Sequence, residues 1–151
     1  ARVAGGTPVF VPLTGRNGFR VTARAVAGAI TPKTRAVVVN SPSNPTGAVV
    51  RPEELLQIAR LARKHGFWLL YDDTYAHLVF RPGGPPALQE VKDSAGGHLV
   101  VVGTVSKTYC MTGWRVGWVM GPQALAEACT AHDFNFSDRL HIHLHGDTRG
   151  T

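Results

Sequence analysis

Three short apolar runs set the limits on how this chain folds: Ala36-Val37-Val38-Val39, Phe67-Trp68-Leu69-Leu70-Tyr71 and His98-Leu99-Val100-Val101-Val102. Each is short for a helix and rich in β-branched or aromatic residues, so each reads as a buried strand. The gaps between them are longer than the dozen or so residues that a parallel crossover requires. The spacing therefore predicts an α/β fold, with a mainly parallel sheet and flanking helices.

The segments between the runs agree. Residues Ala23 to Ile30 read as a helix opened by Thr22 as N-cap. Pro52 to Lys64 is the clearest helix: Pro52 suits the first helical position, and Glu53 and Glu54 complement the positive end of the dipole. Leu55, Ile58, Ala59 and Ala62 recur at helical spacing, and Gly66 is a natural terminator. Arg51 is a poor N-cap for so clear a helix. Val9 to Pro12 is a further short strand candidate, Arg81 to Pro86 a Pro/Gly surface turn, and Gln123 to Cys129 a possible helix. Arg115 to Met120 reads as a fourth strand. It follows its predecessor by only about ten residues, too few for a crossover, so it is expected to run antiparallel.

Composition narrows the class. The chain has 151 residues, 44% apolar and 17% charged, which suits one globular domain. No apolar run approaches the roughly 20 residues that span a bilayer. The start, Ala1-Arg2-Val3-Ala4-Gly5-Gly6, has neither an initiator Met nor a signal core and reads as beginning inside a longer sequence. Cys110 and Cys129 form no zinc or redox spacing, so a reducing, cytoplasmic setting is expected. The formal charge is +6, yet the basic residues occur along the chain without a block of five or six, and nucleic acid is not an expected partner. From His132 onward the apolar period is lost, and the segment looks foreign to the rest.

In open α/β sheets, ligands bind beyond the carboxyl ends of the strands. Each of the three runs ends there in a polar cluster: Asn40-Ser41-Pro42-Ser43-Asn44-Pro45-Thr46-Gly47, then Asp72-Asp73-Thr74-Tyr75, then Gly103-Thr104-Val105-Ser106-Lys107-Thr108. Parallel strands would bring an amide, a carboxylate, a phenol, hydroxyls and an amine to one edge. Singly, each cluster has an ordinary reading: Asn44 to Gly47 as a turn, Asp72 as a cap or ion-pair partner, Lys107 as solvated surface, Arg115 as an edge charge. Their joint order is what carries information.

The segments NSPSNPTG, YDDTY and GTVSKTYCMTGWRVGW, in that order and spacing, resemble the signature segments of class I/II aminotransferases, which are fold-type I enzymes dependent on pyridoxal 5'-phosphate (PLP). The resemblance runs from about Gly5 to about Gly121. It implies residues 1–121 as an incomplete PLP-binding large domain and residues 122–151 as a divergent tail. By position, Lys107 matches the lysine that forms a Schiff base with PLP, an amine being needed for an imine that a substrate amine can replace. Asp72 matches the acid paired with the pyridine nitrogen, and Asp73 its structural neighbour. Asn44 and Tyr75 match the groups that hydrogen-bond the cofactor's phenolic oxygen. Thr104 and Arg115 match phosphate ligands, a hydroxyl and a guanidinium able to bind in two places. The family usually has serine where Thr104 stands. Gly113 and Trp114 would shape the loop, and Ser41-Pro42 and Asn44-Pro45 are places for cis bonds. The implied activity is amino-group transfer between an amino acid and a 2-oxo acid, in a parent that is a homodimer.

Other chemistries fit less well. A P-loop needs glycine just before its lysine, where this chain has Ser106. A dinucleotide fold needs a Gly-x-Gly-x-x-Gly turn after a strand, and none is present. His141, His143 and His145 alternate as metal ligands on one strand face could, but no acidic or cysteine ligand adjoins them, and no metal is expected. Within PLP chemistry a C–S β-lyase or a cyclising enzyme starts from the same step. An inactive fragment is the rival outside catalysis, since the resemblance places the substrate-gripping arginine and the ring-stacking aromatic outside these residues.

Overall fold

The structure is a computed structural model that describes residues 1–2, 5–80 and 87–131. Its elements in chain order are α1 (Ala23–Ala29), β1 (Ala36–Asn40), α2 (Pro52–His65), β2 (Trp68–Asp72), α3 (Leu88–Ala95), β3 (Leu99–Thr104), α4 (Val105–Thr108), β4 (Gly117–Met120) and α5 (Gln123–Ala131). Short 3-10 turns cover Gly15–Asn17 and Thr112–Trp114.

The four strands lie side by side in sequence order. β1 and β2 are parallel, with Asn40 opposite Asp72, and β2 and β3 are parallel, with Asp72 opposite Val102. β4 returns antiparallel, with Thr104 opposite Gly117. The expected mainly parallel sheet with one antiparallel strand is therefore present.

One face of the sheet is covered by α1, α2 and α3. Val39, Leu69, Tyr71, Leu99 and Val101 form a single core with Val26 of α1, Leu55, Ile58, Ala59 and Ala62 of α2, and Val91 and Ala95 of α3. Residues of alternate parity face the other way, and there Val38 is 68% and Trp68 37% exposed. Among the described residues β1 is an edge strand, and it is buried only at Val39. The run of four apolar residues had suggested burial on both faces. Val9 to Pro12 forms no strand: Val9 and Phe10 are largely exposed, no described strand lies beside them, and Pro8 and Pro12 have no N–H to donate.

Helix signals behave as the residues dictate. The Thr22 hydroxyl accepts the Ala25 N–H at 3.2 Å, capping α1. Gly66 closes α2 in the left-handed conformation, its N–H donating to the Ala62 carbonyl. The weak cap at Arg51 has a tertiary explanation. Its guanidinium holds Glu54 at 2.6 Å, and the other Glu54 oxygen accepts the Ala23 N–H of α1 at 2.6 Å. Arg51 thus steadies a carboxylate that caps the neighbouring helix rather than its own. The helix expected at Gln123 is present as α5, whereas the Arg81–Pro86 turn and everything after Ala131, including His141, His143 and His145, lie outside the described residues. No helix among the described residues is long and apolar enough to cross a membrane.

Candidate active site

The parallel pairing brings the three polar clusters to one edge. The Asn40 side-chain amide donates to the Asp72 carbonyl at 3.4 Å, and the Ser41 N–H donates to the same carbonyl at 3.1 Å, so the first cluster is pinned to the second. The Asp73 N–H donates to the Val102 carbonyl at 3.1 Å and ties the second cluster to β3. In the first loop the Asn44 N–H donates to the Asn40 side-chain oxygen at 3.0 Å, and the Ser41-Pro42 and Asn44-Pro45 bonds are both cis. Beneath it the buried Ser41 hydroxyl accepts the Val50 N–H at 2.9 Å.

Lys107 stands on α4, one helical turn immediately after β3. Its amine lies 6.0 Å from the centroid of the Tyr75 ring. The Asn44 side-chain amide donates to the Tyr75 hydroxyl at 3.2 Å. Asn44, Tyr75 and Lys107 thus form one connected group drawn from three separate segments. Because the phenol oxygen accepts from Asn44, its own proton is left for another acceptor.

Asp72 closes β2 and is partly exposed; one of its carboxylate oxygens accepts the Thr74 N–H at 3.1 Å. Strand alternation sends Asp73 to the opposite, helix-covered side. There one Asp73 oxygen is buried without a hydrogen-bond partner. Burial, followed by the charge of Asp72, raises the Asp73 carboxyl above its ordinary range, with His77 opposing. On the same side the Tyr71 hydroxyl donates to the Ser41 carbonyl at 3.3 Å, and burial pushes its pKa up to about 12.

Thr104 and Arg115 line a separate concavity of about 220 Å³ between the ends of β3 and β4, together with Ser106. The Thr104 hydroxyl donates to the Val116 carbonyl at 2.9 Å and accepts the Ser106 N–H at 3.1 Å, so it caps α4. The hydroxyls of Thr104 and Ser106 are 2.8 Å apart. Arg115 is exposed, in the left-handed conformation (φ 54°) that non-glycine residues seldom adopt, and donates to the Thr112 carbonyl at 3.3 Å. Lys107, Asn44, Tyr75 and Asp72 are not part of that wall.

Two features are new at this level: Ser106, a buried hydroxyl one residue before Lys107, and the orphan oxygen of Asp73, which the sequence placed only as the structural neighbour of Asp72. The Thr-x-Ser spacing is a capping signal that could have found the first. Nothing local marks the second. Among the described residues, no group of three acidic, histidine or cysteine side chains is placed to hold a metal ion.

Known proteins resemble this chain in sequence and in fold. The family model for aminotransferase class I and II matches residues 1–136. An aspartate aminotransferase of Streptomyces avermitilis is 43% identical over 129 residues, covering 85% of this chain and 32% of that protein. An arginine–pyruvate transaminase of Pseudomonas aeruginosa is 42% identical over 123 residues, covering 80% and 30%. Among solved structures, the aspartate aminotransferase of Thermus thermophilus with maleate matches with a TM-score of 0.80 at 40% identity, over 87% of this chain and 33% of that one. The chain spans about a third of the length of these relatives.

Proposed function

The chain belongs to the class I and II aminotransferase family, and we propose on that premise that it carries the PLP centre for amino-group transfer between an amino acid and a 2-oxo acid. The observation that carries this reading is the placement of the Lys107 amine over the Tyr75 ring, with the phenol held by Asn44. The donor set suits the cofactor: an amine for its aldehyde, a carboxylate for its ring nitrogen, a phenol and an amide for its phenolic oxygen, and a guanidinium beside hydroxyls for its phosphate.

PLP, when bound, supplies an aldehyde that takes up amines covalently and a ring that accepts the electron pair left at a substrate α-carbon. The protein's part is to hold, orient and move protons. Lys107 would hold the cofactor through its amine and would move the proton at the substrate α-carbon. Asp72 keeps a proton on the ring nitrogen. Tyr75 donates its free proton to the phenolic oxygen, and the Asn44 amide fixes the phenol that does so. Arg115 and Thr104 hold the phosphate, for which the single Thr104 proton must turn away from the Val116 carbonyl.

The relatives named for aspartate and for arginine are almost equally similar to this chain. We infer that the choice of amino acid, and that between transfer and β-elimination, rests on residues outside the shared stretch. The proposed setting is cytoplasmic and the proposed assembly a homodimer.

The test is covalent. The chain is incubated with PLP, reduced with borohydride, digested and mapped by mass spectrometry. The reading expects one dominant adduct, on Lys107, and its loss in Lys107→Ala. Label spread over Lys33, Lys64 and Lys92, or equal uptake by the variant, would overturn it. Amino transfer itself is read from 2-oxo-acid-dependent product formation across a panel of amino acids.

A further inference from the structure

The formal charge of the chain is unevenly placed. Residues 20–65 contain eight Lys or Arg and two acids, a net of +6, while the remaining residues balance at eight and eight. The entire excess thus belongs to the stretch that builds α1, β1 and α2. Part of it converges in a groove of about 360 Å³ between α1 and α2, lined by Arg24 of α1 and by Arg60 and Lys64 of α2.

Three features set this groove apart from a merely solvated helix face. Arg60 and Lys64 are four residues apart and share one side of α2, so two cations stand one turn from each other, facing Arg24 across the groove. Among the described residues the ion pairs are those of Arg51 with Glu53 and Glu54, leaving the three groove cations without an acid. Glu54, the carboxylate that joins the two helices, is already committed to the Ala23 N–H and to Arg51. Besides the polar Gln57, the lining between the cations is apolar, with Ala23, Ala27 and half-buried Leu61.

We propose that the α1–α2 groove is a docking surface for an acidic amphipathic peptide segment of a partner protein. A helix with carboxylates four residues apart would match Arg60 and Lys64, and its apolar side chains would cover Ala27 and Leu61. A nucleic acid fits less well: none of the lining side chains is aromatic, so no platform for base stacking is present, and a phosphodiester backbone gains nothing from the apolar strip. The surface draws on none of the side chains assigned to the cofactor and stands whether or not that assignment holds.

The test uses the 151-residue chain and a fluorescein-labelled synthetic helix carrying Glu at i and i+4 on one side and Leu beside them. Anisotropy should show saturable binding. It should weaken roughly tenfold or more in Arg24→Glu/Arg60→Glu/Lys64→Glu and also when the peptide Leu residues become Ser. Far-UV circular dichroism checks that the variant is folded, and the milder Arg60→Gln/Lys64→Gln pair should show a smaller loss in the same direction. Failure of the peptide to saturate, or equal binding by the variants, overturns the proposal. So does tighter binding of a single-stranded RNA oligomer or of anionic lipid vesicles with the same dependence on the three cations.

Discussion

The Lys107 amine lies 6.0 Å from the centroid of the Tyr75 ring, although 31 residues of chain separate them, and the hydroxyl of that ring is fixed by the Asn44 amide at 3.2 Å. The ring body and the hydroxyl therefore have separable duties. Tyr75→Phe keeps the surface beneath the amine and deletes the phenol. Loss of the one neutral hydrogen bond to the cofactor costs about 0.5–1.5 kcal/mol, so PLP affinity should fall about 2- to 13-fold. Tyr75→Ala should fall further, because the ring itself goes. Titration with PLP, read by absorbance, decides; equal affinity for wild type and Phe variant would remove Tyr75 from the site.

Thr104 is where β3 becomes α4, and its hydroxyl both caps the new turn through Ser106 and ties β3 to the Val116 carbonyl. Thr104→Val preserves shape and removes both bonds. The expected loss is about 1–2 kcal/mol in urea unfolding, the usual size for a lost cap. Thr104→Ser keeps the hydroxyl and should stay within about 0.5 kcal/mol of wild type. A Val variant as stable as the Ser variant would show that the turn carrying Lys107 is held by other contacts.

What could be read from the residues alone was local. β2 and β3, the antiparallel return to β4 and the polar clusters at the strand ends follow from short-range pattern and from spacing. α3 was missed because its cap position is Ala87, which offers no side-chain acceptor, and only Val91 and Ala95 mark its buried side. Val9 to Pro12 has strand-like residues but no neighbour to pair with, and no local pattern reports a missing neighbour. The edge position of β1 is likewise a property of the sheet. The same holds for charge: without a contiguous basic block the excess looked dispersed, until α1 and α2 packed side by side. At the site, the residues that end strands were legible, whereas the bond from Glu54 to Ala23 and the orphan oxygen of Asp73 exist only in three dimensions.

Asp73 makes stability depend on pH in a direction opposite to that of a paired carboxylate. Its folded carboxyl titrates above the ordinary value of 3.8, chiefly through burial and then through the charge of Asp72. Between these two pH values the native state binds more protons than the unfolded chain, so its contribution to stability falls as pH rises. The penalty is absent below the unfolded value and complete above the folded one. Asp73→Asn removes the titration while keeping the shape. The stability of the variant relative to wild type should therefore increase from pH 3.5 to pH 7, measured by urea unfolding at both. A difference independent of pH would mean that the carboxyl ionises in the fold as freely as in water.

Gly103 and Trp118 face each other across the β3–β4 pair, and the indole ring occupies the space that a side chain at Gly103 would need. A Cβ there would overlap the ring outright, so Gly103→Ala must either swing Trp118 toward solvent or part the two strands. Overpacking of this kind costs about 1–3 kcal/mol. The damage would fall one residue before Thr104, so PLP affinity should drop along with stability. A double-mutant cycle separates the clash from any backbone requirement for glycine. In a Trp118→Ala background the ring is gone, and Gly103→Ala should then cost under about 0.5 kcal/mol, giving a coupling of about 0.5 kcal/mol or more. If alanine at 103 costs the same in both backgrounds, the glycine is required by the strand itself and the ring has merely settled over it.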